Sequence, residues 1–260
     1  MRRDIVHRMD APADVVGRVG TVLRAVAANE PTGVTTTQLA RSTGLARPTA
    51  HRLLTSLLGD GLLDRNEDGR WFLGPELYLL GMTAAPRYDV TTVAQPFVRR
   101  LASTTGESAF FSARRGDETV CLVREDGSFP IRSHVLHEGI RFPLGVASAG
   151  IAILAYLPDS EIEDYLSRTN LSSYGSGHEP DQVRARVRET RDAGFALNPG
   201  LIVQGSWGLG AAVFDVANRP QWALTLTGIE HRFAPARRGK LGRLLLRAAH
   251  ELTIALRTDR

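Results

Sequence analysis

Residues 35–59 read TTTQLARSTGLARPTAHRLLTSLLG, and this stretch predicts two helices joined by a tight turn. Thr35 and Gln38, three residues apart, match a capping box, so the first helix is predicted to begin here. Gly44 tolerates the left-handed conformation that ends helices, and it limits the first helix to about two turns. Pro48 suits the first turn of the second helix, where its missing N–H costs no hydrogen bond.

The second helix is predicted to have one apolar face and one polar face. Its apolar residues recur at the spacing of a single helix face: Ala50, Leu53, Leu54, Leu57 and Leu58. The opposite face carries hydroxyl and basic side chains: Thr49, His51, Arg52, Thr55 and Ser56. No acidic residue occurs between Pro31 and Gly59. Because such side chains contact phosphates and guanine edges, this face predicts insertion into the major groove of duplex DNA. The alternative is a small helical domain with a solvated polar face.

The flanking sequence completes a winged helix-turn-helix pattern over residues 15–74. Upstream, residues 15–28 place their aliphatic side chains on one side of a helix. Downstream, residues 62–65 and 70–73 predict two short strands around an Asp-Gly turn. Residues 1–14 are predicted to be an N-terminal arm. The predicted DNA contacts lie in the two helices and the hairpin: Thr36, Thr37, Gln38, Arg47, Thr49, His51, Arg52 and Arg70.

Residues 75–90 are predicted to form a linker helix, and residues 91–260 a second domain with an α+β succession. Helices are predicted over 93–105, 146–156, 160–168, 181–193 and 235–257. Strands are predicted over 107–113, 118–124, 131–136, 195–197, 208–216 and 222–227. A sheet with helices packed against it is the natural arrangement of these elements.

Composition limits the classes of protein to which the chain can belong. A chain of 260 residues is long enough for two domains, and 43% hydrophobic with 23% charged residues is ordinary for a globular protein. The net charge of +4 slightly favours acidic partners. The single cysteine excludes an internal disulfide. Because neither a signal peptide nor a long apolar run is present, we expect a cytoplasmic protein without a membrane partner.

The sequence contains no motif for catalysis, metal binding or cofactor binding, so none of these sites is predicted. Residues 208–210 read Gly-Leu-Gly and lack the third glycine of a dinucleotide-binding fingerprint. Neither Ser148 nor Ser206 lies in the G-x-S-x-G sequence of a nucleophile elbow. An enzyme acting on a small carboxylic acid in the second domain is kept as the alternative to a binding function.

Two segments of the second domain predict a binding site for a small carboxylate. Residues 147–150 are small and open an apolar helix, whose free backbone N–H groups can receive an anion. Thr225 and Thr227 alternate with leucines, so both hydroxyls are expected on one face of a strand. The alternative is that small residues permit close packing and that threonine is common in strands.

The chain resembles the IclR family of bacterial transcriptional regulators over essentially its whole length. In the N-terminal part the resemblance is carried by QLARSTGL at 38–45, TAHRLL at 49–54, GLL at 61–63 and WFLG at 71–74. In the C-terminal part it is carried by GIAILA at 150–155, AAVFD at 211–215 and TLTG at 225–228. The combination is specific, whereas each piece alone is not.

The resemblance implies a winged helix-turn-helix domain, a linker helix and a GAF-like α/β effector-binding domain. It also implies a homodimer or homotetramer that binds a pseudo-palindromic operator in double-stranded DNA. Thr49, Ala50, His51 and Arg52 would lie in the major groove. The carboxylate of a small organic acid would accept hydrogen bonds from the backbone N–H groups of Ser148 and Ala149 and from the hydroxyls of Thr225 and Thr227. The walls of this pocket would be formed by Phe142, Asn198 and Gly208. The apolar residues Phe142, Ile151 and Trp207 favour an aromatic or longer acid. A non-specific DNA-coating protein is the remaining rival, and it would require a more basic chain.

Overall fold

The computed structural model describes residues 15–85, 90–131 and 135–258, which belong to two compact units, Met1–Tyr88 and Asp89–Arg260. The elements of the first unit are α1 (Val15–Ala27), α2 (Thr36–Thr43), α3 (Arg47–Gly59), β1 (Leu63–Arg65), β2 (Trp71–Leu73) and α4 (Pro75–Ala84). This order confirms the predicted winged helix-turn-helix fold. The predicted arm over residues 1–14 lies outside the described residues.

Local sequence signals determine where the helices of the first unit begin and end. The backbone N–H of Gln38 donates to Thr35 Oγ1 at 3.3 Å, and the N–H of Thr35 donates to Gln38 Oε1 at 3.0 Å. These two bonds form the predicted capping box at the start of α2. Gly44 ends α2 with a φ of 69°, a conformation that residues with a Cβ rarely adopt.

The core of the first unit is formed by α1, α2, α3 and the hairpin. From α3 the side chains of Ala50, Leu54 and Leu57 are buried. They pack in one cluster with residues of the other elements: Val22, Val26, Val34, Leu39, Leu63 and Trp71. The apolar face of α3 therefore anchors the helix and leaves its polar face outward.

The second unit is a six-stranded antiparallel sheet with helices on both faces. Its strands are β3 (Ser108–Arg115), β4 (Glu118–Glu125), β5 (Arg141–Pro143), β6 (Ala196–Pro199), β7 (Ser206–Phe214) and β8 (Pro220–Ile229), in the spatial order β5-β4-β3-β8-β7-β6. The helices are α5 (Val90–Thr105), α6 (Ser148–Leu154), α7 (Asp159–Arg168), α8 (Pro180–Ala193) and α9 (Pro235–Thr258). In the described ranges no helix is both long enough and apolar enough to cross a bilayer.

One predicted strand, over residues 131–136, is wrong where the structure describes it. Ile131 and Val135 lie in bends, and residues 132–134 are outside the described residues. The edge strand β5 forms a few residues later and pairs with β4. A three-residue edge strand carries too short an alternation to be recognised from the sequence.

The two faces of the sheet pack in separate apolar clusters. Leu224 and Leu226 of β8 pack with α5 and α9, whereas Ala223 packs with α6, α7 and α8. Because side chains alternate along a strand, Thr225 and Thr227 share the face of Ala223. Polar hydroxyls are thus placed on the face of the sheet that α6 covers.

Candidate DNA-binding surface and effector pocket

The polar face of α3 is exposed, as a DNA-reading helix requires. Arg47, His51 and Arg52 are exposed, and Thr49 is half-buried. Ala50 was predicted in the major groove, but its side chain is 0% exposed and packs in the core of the first unit. Because a buried methyl group cannot reach a base, Ala50 is removed from the predicted contacts.

The start of α2 holds two of its predicted contact residues in internal hydrogen bonds. The indole Nε1–H of Trp71 donates to Thr36 Oγ1 at 2.9 Å, which connects the wing to α2. Gln38 uses its carbonyl oxygen in the capping box, whereas Thr37 is exposed and carries no such role. The hydroxyl proton of Thr36 and the amide N–H groups of Gln38 remain as donors.

The wing positions two arginines through internal contacts. Arg70 is half-buried, and its Nη1 donates to the carbonyl oxygen of Gly33 at 3.2 Å. The guanidinium of Arg65 lies 5.0 Å from the centre of the Trp71 ring. Both cations are therefore attached to the body of the unit, in the hairpin from which both were predicted to reach the DNA backbone or the neighbouring minor groove.

A small cavity lies in the second unit between the sheet and the start of α6. It is lined by Ser112, Thr119, Cys121, Leu136, Ile140, Phe142, Ala147, Ser148, Ala149 and Thr225. The structure thus brings together four of the residues predicted to bind an effector, Phe142, Ser148, Ala149 and Thr225. Ser112, Thr119 and Cys121 were missed, because only the pairing of β3 with β4 places them on this face.

Thr225 and Thr227 are the most informative residues of this region. Their side chains are 1% and 7% exposed, and neither hydroxyl has a hydrogen-bond partner among the described residues. Buried hydroxyl groups are normally hydrogen-bonded, because leaving them unpaired costs free energy. Thr225 lines the cavity, whereas Thr227, two residues along the same face of β8, does not line it. The arrangement leaves the hydroxyl of Thr225 available to a molecule in the cavity.

Two glycines of β7 allow α6 to start close to the sheet. A Cβ atom at Gly210 would lie 2.4 Å from the carbonyl oxygen of Ser148. A Cβ atom at Gly208 would lie 3.2 Å from Ser148 Oγ. Gly208 was predicted as a wall of the pocket, but it does not line the cavity and acts instead by letting Ser148 approach.

Asn198, the other predicted wall residue, holds the backbone around the site. Its Nδ2 donates to the carbonyl oxygen of Val146 at 3.1 Å, and its Oδ1 accepts from the N–H of Leu201 at 2.9 Å. It is buried and does not line the cavity. Asn198 therefore connects the turn before α6 to the loop after β6.

The cavity is lined by neutral side chains. Burial is the main cause that raises the pKa of the Cys121 thiol to about 12, so this group is protonated at neutral pH. The helix α6 has seven residues, which is too short for its dipole to contribute much to anion binding. The lining itself can therefore contact a ligand through hydroxyl and backbone hydrogen bonds with apolar contacts around them.

Comparison with known proteins gives the same two-part division. The model of the IclR helix-turn-helix domain matches residues 15–67, and the model of the C-terminal part of the bacterial transcriptional regulator IclR matches residues 82–254. The transcriptional repressor IclR of Escherichia coli is 24% identical over 94% of this chain and 93% of its own length. The regulator KipR of Bacillus subtilis is 27% identical over 78% of this chain and 82% of its own length.

Solved structures share the fold. An IclR homologue of Microbacterium hydrocarbonoxydans, complexed with 4-hydroxybenzoate, has a TM-score of 0.75 at 23% identity, over 94% of this chain and 100% of that chain. The IclR regulator of Alicyclobacillus acidocaldarius also has a TM-score of 0.75, at 22% identity, over 95% of this chain and all of that chain. With family models matching both units, the chain belongs to the IclR family of bacterial transcriptional regulators, with a helix-turn-helix DNA-binding domain and a C-terminal effector domain.

Proposed function

We propose that this regulator binds a pseudo-palindromic operator as a dimer or tetramer, and that a small organic acid in the cavity of the second unit modulates this binding. The observation that carries the proposal is the pair of buried hydroxyls, Thr225 and Thr227, without a partner in the described part of the chain. A ligand that accepts hydrogen bonds, and that extends from the cavity along β8 to Thr227, would satisfy both groups.

The DNA contacts are proposed on the exposed side of α3. Arg47 and Arg52 supply charges for phosphates and donors for guanine O6 and N7, and His51 and Thr49 supply further donors. Thr37 and Arg70 are proposed as neighbouring backbone contacts. Contacts to phosphates and contacts to bases can be distinguished by mutation. Losing a phosphate contact weakens binding to all DNA sequences, whereas losing a base contact relaxes the sequence preference.

The ligand is proposed to be a carboxylic acid with an apolar body. Its carboxylate would accept hydrogen bonds from the hydroxyls and from the backbone near Ser148 and Ala149. The apolar lining, which includes Leu136, Ile140 and Phe142, suits a ring or a hydrocarbon chain. The related structure that holds 4-hydroxybenzoate supports an aromatic acid as the first probe.

Self-association is proposed to involve α4. This helix has no buried residue, and its exposed apolar side chains include Tyr78 (67% exposed), Leu79, Leu80 and Met82. Exposed apolar patches mark interaction sites, and a second copy of the same helix can cover such a patch by two-fold symmetry.

The test is selection of binding sites from random duplex DNA, followed by titration of the selected site with and without acids. We expect an inverted repeat to be selected over competitor DNA at moderate salt. We expect 4-hydroxybenzoate or another acid of a panel (benzoate, pyruvate, glyoxylate) to change the operator affinity by about fivefold or more. Selection of no preferred sequence would contradict the DNA-binding proposal. Unchanged affinity with every acid, together with no binding of them by calorimetry, would contradict the effector proposal.

A further inference from the structure

Arg186 of α8 is buried directly behind the turn that leads into the effector pocket. Its side chain is 9% exposed, and its Nη2 donates to the carbonyl oxygen of Gly145 at 2.8 Å. Its Nη1 lies 3.5 Å from the carbonyl oxygen of Val146, and its Nε has no partner in the described ranges. Ser148, which lines the cavity, follows Val146 by two residues. A buried guanidinium thus lies next to the pocket without lining it.

The charge of Arg186 is not neutralised in the described part of the chain. Glu107 is the other buried residue there with a charged side chain, and it forms ion pairs with Arg232 at 2.6 Å and Arg237 at 2.5 Å. No described carboxylate lies within ion-pair distance of Arg186, and the nearby Glu189 is exposed. A buried charge without a partner is costly, and an anion close to it lowers that cost.

Arg186 keeps its charge at neutral pH, and its field acts on its neighbours. Burial is the main cause that lowers the pKa of Arg186 to about 10, which still leaves the guanidinium protonated near pH 7. Burial, and after it the charge of Arg186, lower the pKa of the buried His178. The imidazole is therefore kept neutral, and Arg186 carries a positive charge beside the pocket.

We infer that Arg186 is a specificity-determining residue of the effector pocket, which favours carboxylates over neutral ligands by its charge and without contacting them. The inference rests on the proposed function of the pocket. Even across roughly 8 Å at an effective dielectric constant of about 20, Coulomb's law gives two opposite unit charges an effect of about tenfold or more on affinity. A neutral ligand of the same shape is not affected.

The competing explanation is that Arg186 only holds the turn through its hydrogen bonds to Gly145 and Val146. A distorted turn would weaken the binding of every ligand, charged or neutral. The two explanations are separated by comparing an acid with its amide in the same protein, because the amide keeps the shape and loses the charge.

The experiment measures the affinities of 4-hydroxybenzoate and 4-hydroxybenzamide by calorimetry for the full-length wild-type protein and three variants. Arg186→Gln is expected to lower the acid affinity about tenfold and to change the amide affinity by less than about twofold. Arg186→Lys keeps the charge and is expected to retain the preference for the acid. Arg188→Gln removes an exposed cation from the same helix and is expected to bind as the wild type does. If Arg186→Gln binds the acid and the amide with the same ratio of affinities as the wild type, whether both affinities fall or neither does, the inference is overturned.

Two further outcomes are distinguishable. If the wild-type protein binds no acid of the panel, the proposed function of the pocket is wrong and the inference falls with it. If Arg186→Gln does not fold, the side-chain Nε–H resonance of Arg186 in the wild-type protein, assigned by comparison with Arg186→Lys, gives the answer. We expect this resonance to shift on binding the acid and not on binding the amide, and equal shifts with both would contradict the inference.

Discussion

The indole of Trp71 in the wing donates a hydrogen bond to the hydroxyl of Thr36 at the start of α2, with 2.9 Å between Nε1 and Oγ1. The Trp71 side chain is also among the largest fully buried ones of the described chain. Through this bond the wing and α2 hold each other in place, so the surface that contains α3 is assembled from parts that are distant in sequence.

Replacing Trp71 by Phe keeps most of the apolar volume and removes the indole donor. We expect the free energy of unfolding of the first unit to fall by about 1–3 kcal/mol, because one hydrogen bond and some packing are lost. Urea denaturation followed by circular dichroism measures the change. Thr36→Val should reproduce the hydrogen-bond part of the loss, and a Thr36→Val variant as stable as the wild type would show that this bond contributes nothing.

Replacing Arg52 by Ala should weaken operator binding by about 1–3 kcal/mol if its guanidinium contacts a base, and it should relax the sequence preference at one position of each half-site. Gel-shift titration of the selected operator and of its single-base variants measures both effects. The exposed Arg188 on α8 is the matched control, since Arg188→Ala changes the net charge equally at a site outside the helix-turn-helix domain. Equal affinities of Arg52→Ala and Arg188→Ala would remove Arg52 from the contacts.

Replacing Thr227 or Thr225 by Val should abolish the effector response and leave DNA binding intact. Because neither hydroxyl has a described partner, the substitution removes no hydrogen bond of the free protein, and stability should be unchanged or slightly higher. The loss of a hydrogen bond to a carboxylate corresponds to about tenfold or more in ligand affinity. Calorimetry measures the ligand affinity of each variant, and thermal unfolding measures its stability.

Thr253→Val is the contrasting control for the threonine variants. The hydroxyl of Thr253 donates to the carbonyl oxygen of Ala249 at 2.9 Å and accepts from the N–H of Phe214 at 3.1 Å. Its replacement should lower stability by about 1–3 kcal/mol, because the N–H of Phe214 loses its partner, and should leave ligand affinity unchanged. Normal ligand affinity in Thr227→Val would reject the pocket assignment of that residue.

Replacing Gly210 by Ala should destabilise the second unit by about 1–3 kcal/mol, because the new methyl group would lie 2.4 Å from the carbonyl oxygen of Ser148. We also expect weaker ligand binding, since the start of α6 must move away from β7. Gly239→Ala is the matched control in the same unit, because its added Cβ would make only an ordinary contact, 3.6 Å from Arg243 Nη1, and alanine favours the helix α9. A Gly210→Ala variant as stable as the wild type would show that α6 adjusts without cost.

Introducing a charge on α4 tests its proposed role in self-association. Tyr78→Glu combined with Leu80→Glu should shift the protein towards monomers, because two apolar faces would carry like charges at their contact. Sedimentation equilibrium measures the distribution. The exposed Val216, in the turn after β7, is the control site, and Val216→Glu should leave the distribution unchanged. The same distribution for both variants would exclude α4 from the interface.

Local chemistry made the first unit predictable. The capping box of Thr35 and Gln38 and the glycine end of α2 depend on residues within one turn, and both were recognised in the sequence. The prediction of Ala50 as a DNA contact was wrong, because its position on α3 puts a small side chain in the core. The helical periodicity had placed Ala50 on the apolar face of α3, whereas the resemblance to the family implied a contact with DNA.

The pocket was less predictable, because long-range pairing builds it. Thr225 was recognised by its alternation along a strand, a signal that needs no knowledge of its neighbours. Ser112 and Cys121 face the cavity only because β3 lies between β4 and β8. The hydrogen bonds of Asn198 join segments that are far apart in the chain, so its supporting role could not be inferred from spacing.

The strand order of the second unit also bears on how the protein is made. The centre of the sheet pairs Ser108 of β3 with Thr227 of β8, so the sheet closes only after most of the polypeptide has left the ribosome. The helix-turn-helix unit, with its short-range contacts, is complete much earlier in translation. During synthesis, the helix-turn-helix unit would therefore be folded while the central strands of the second unit still lack their partners.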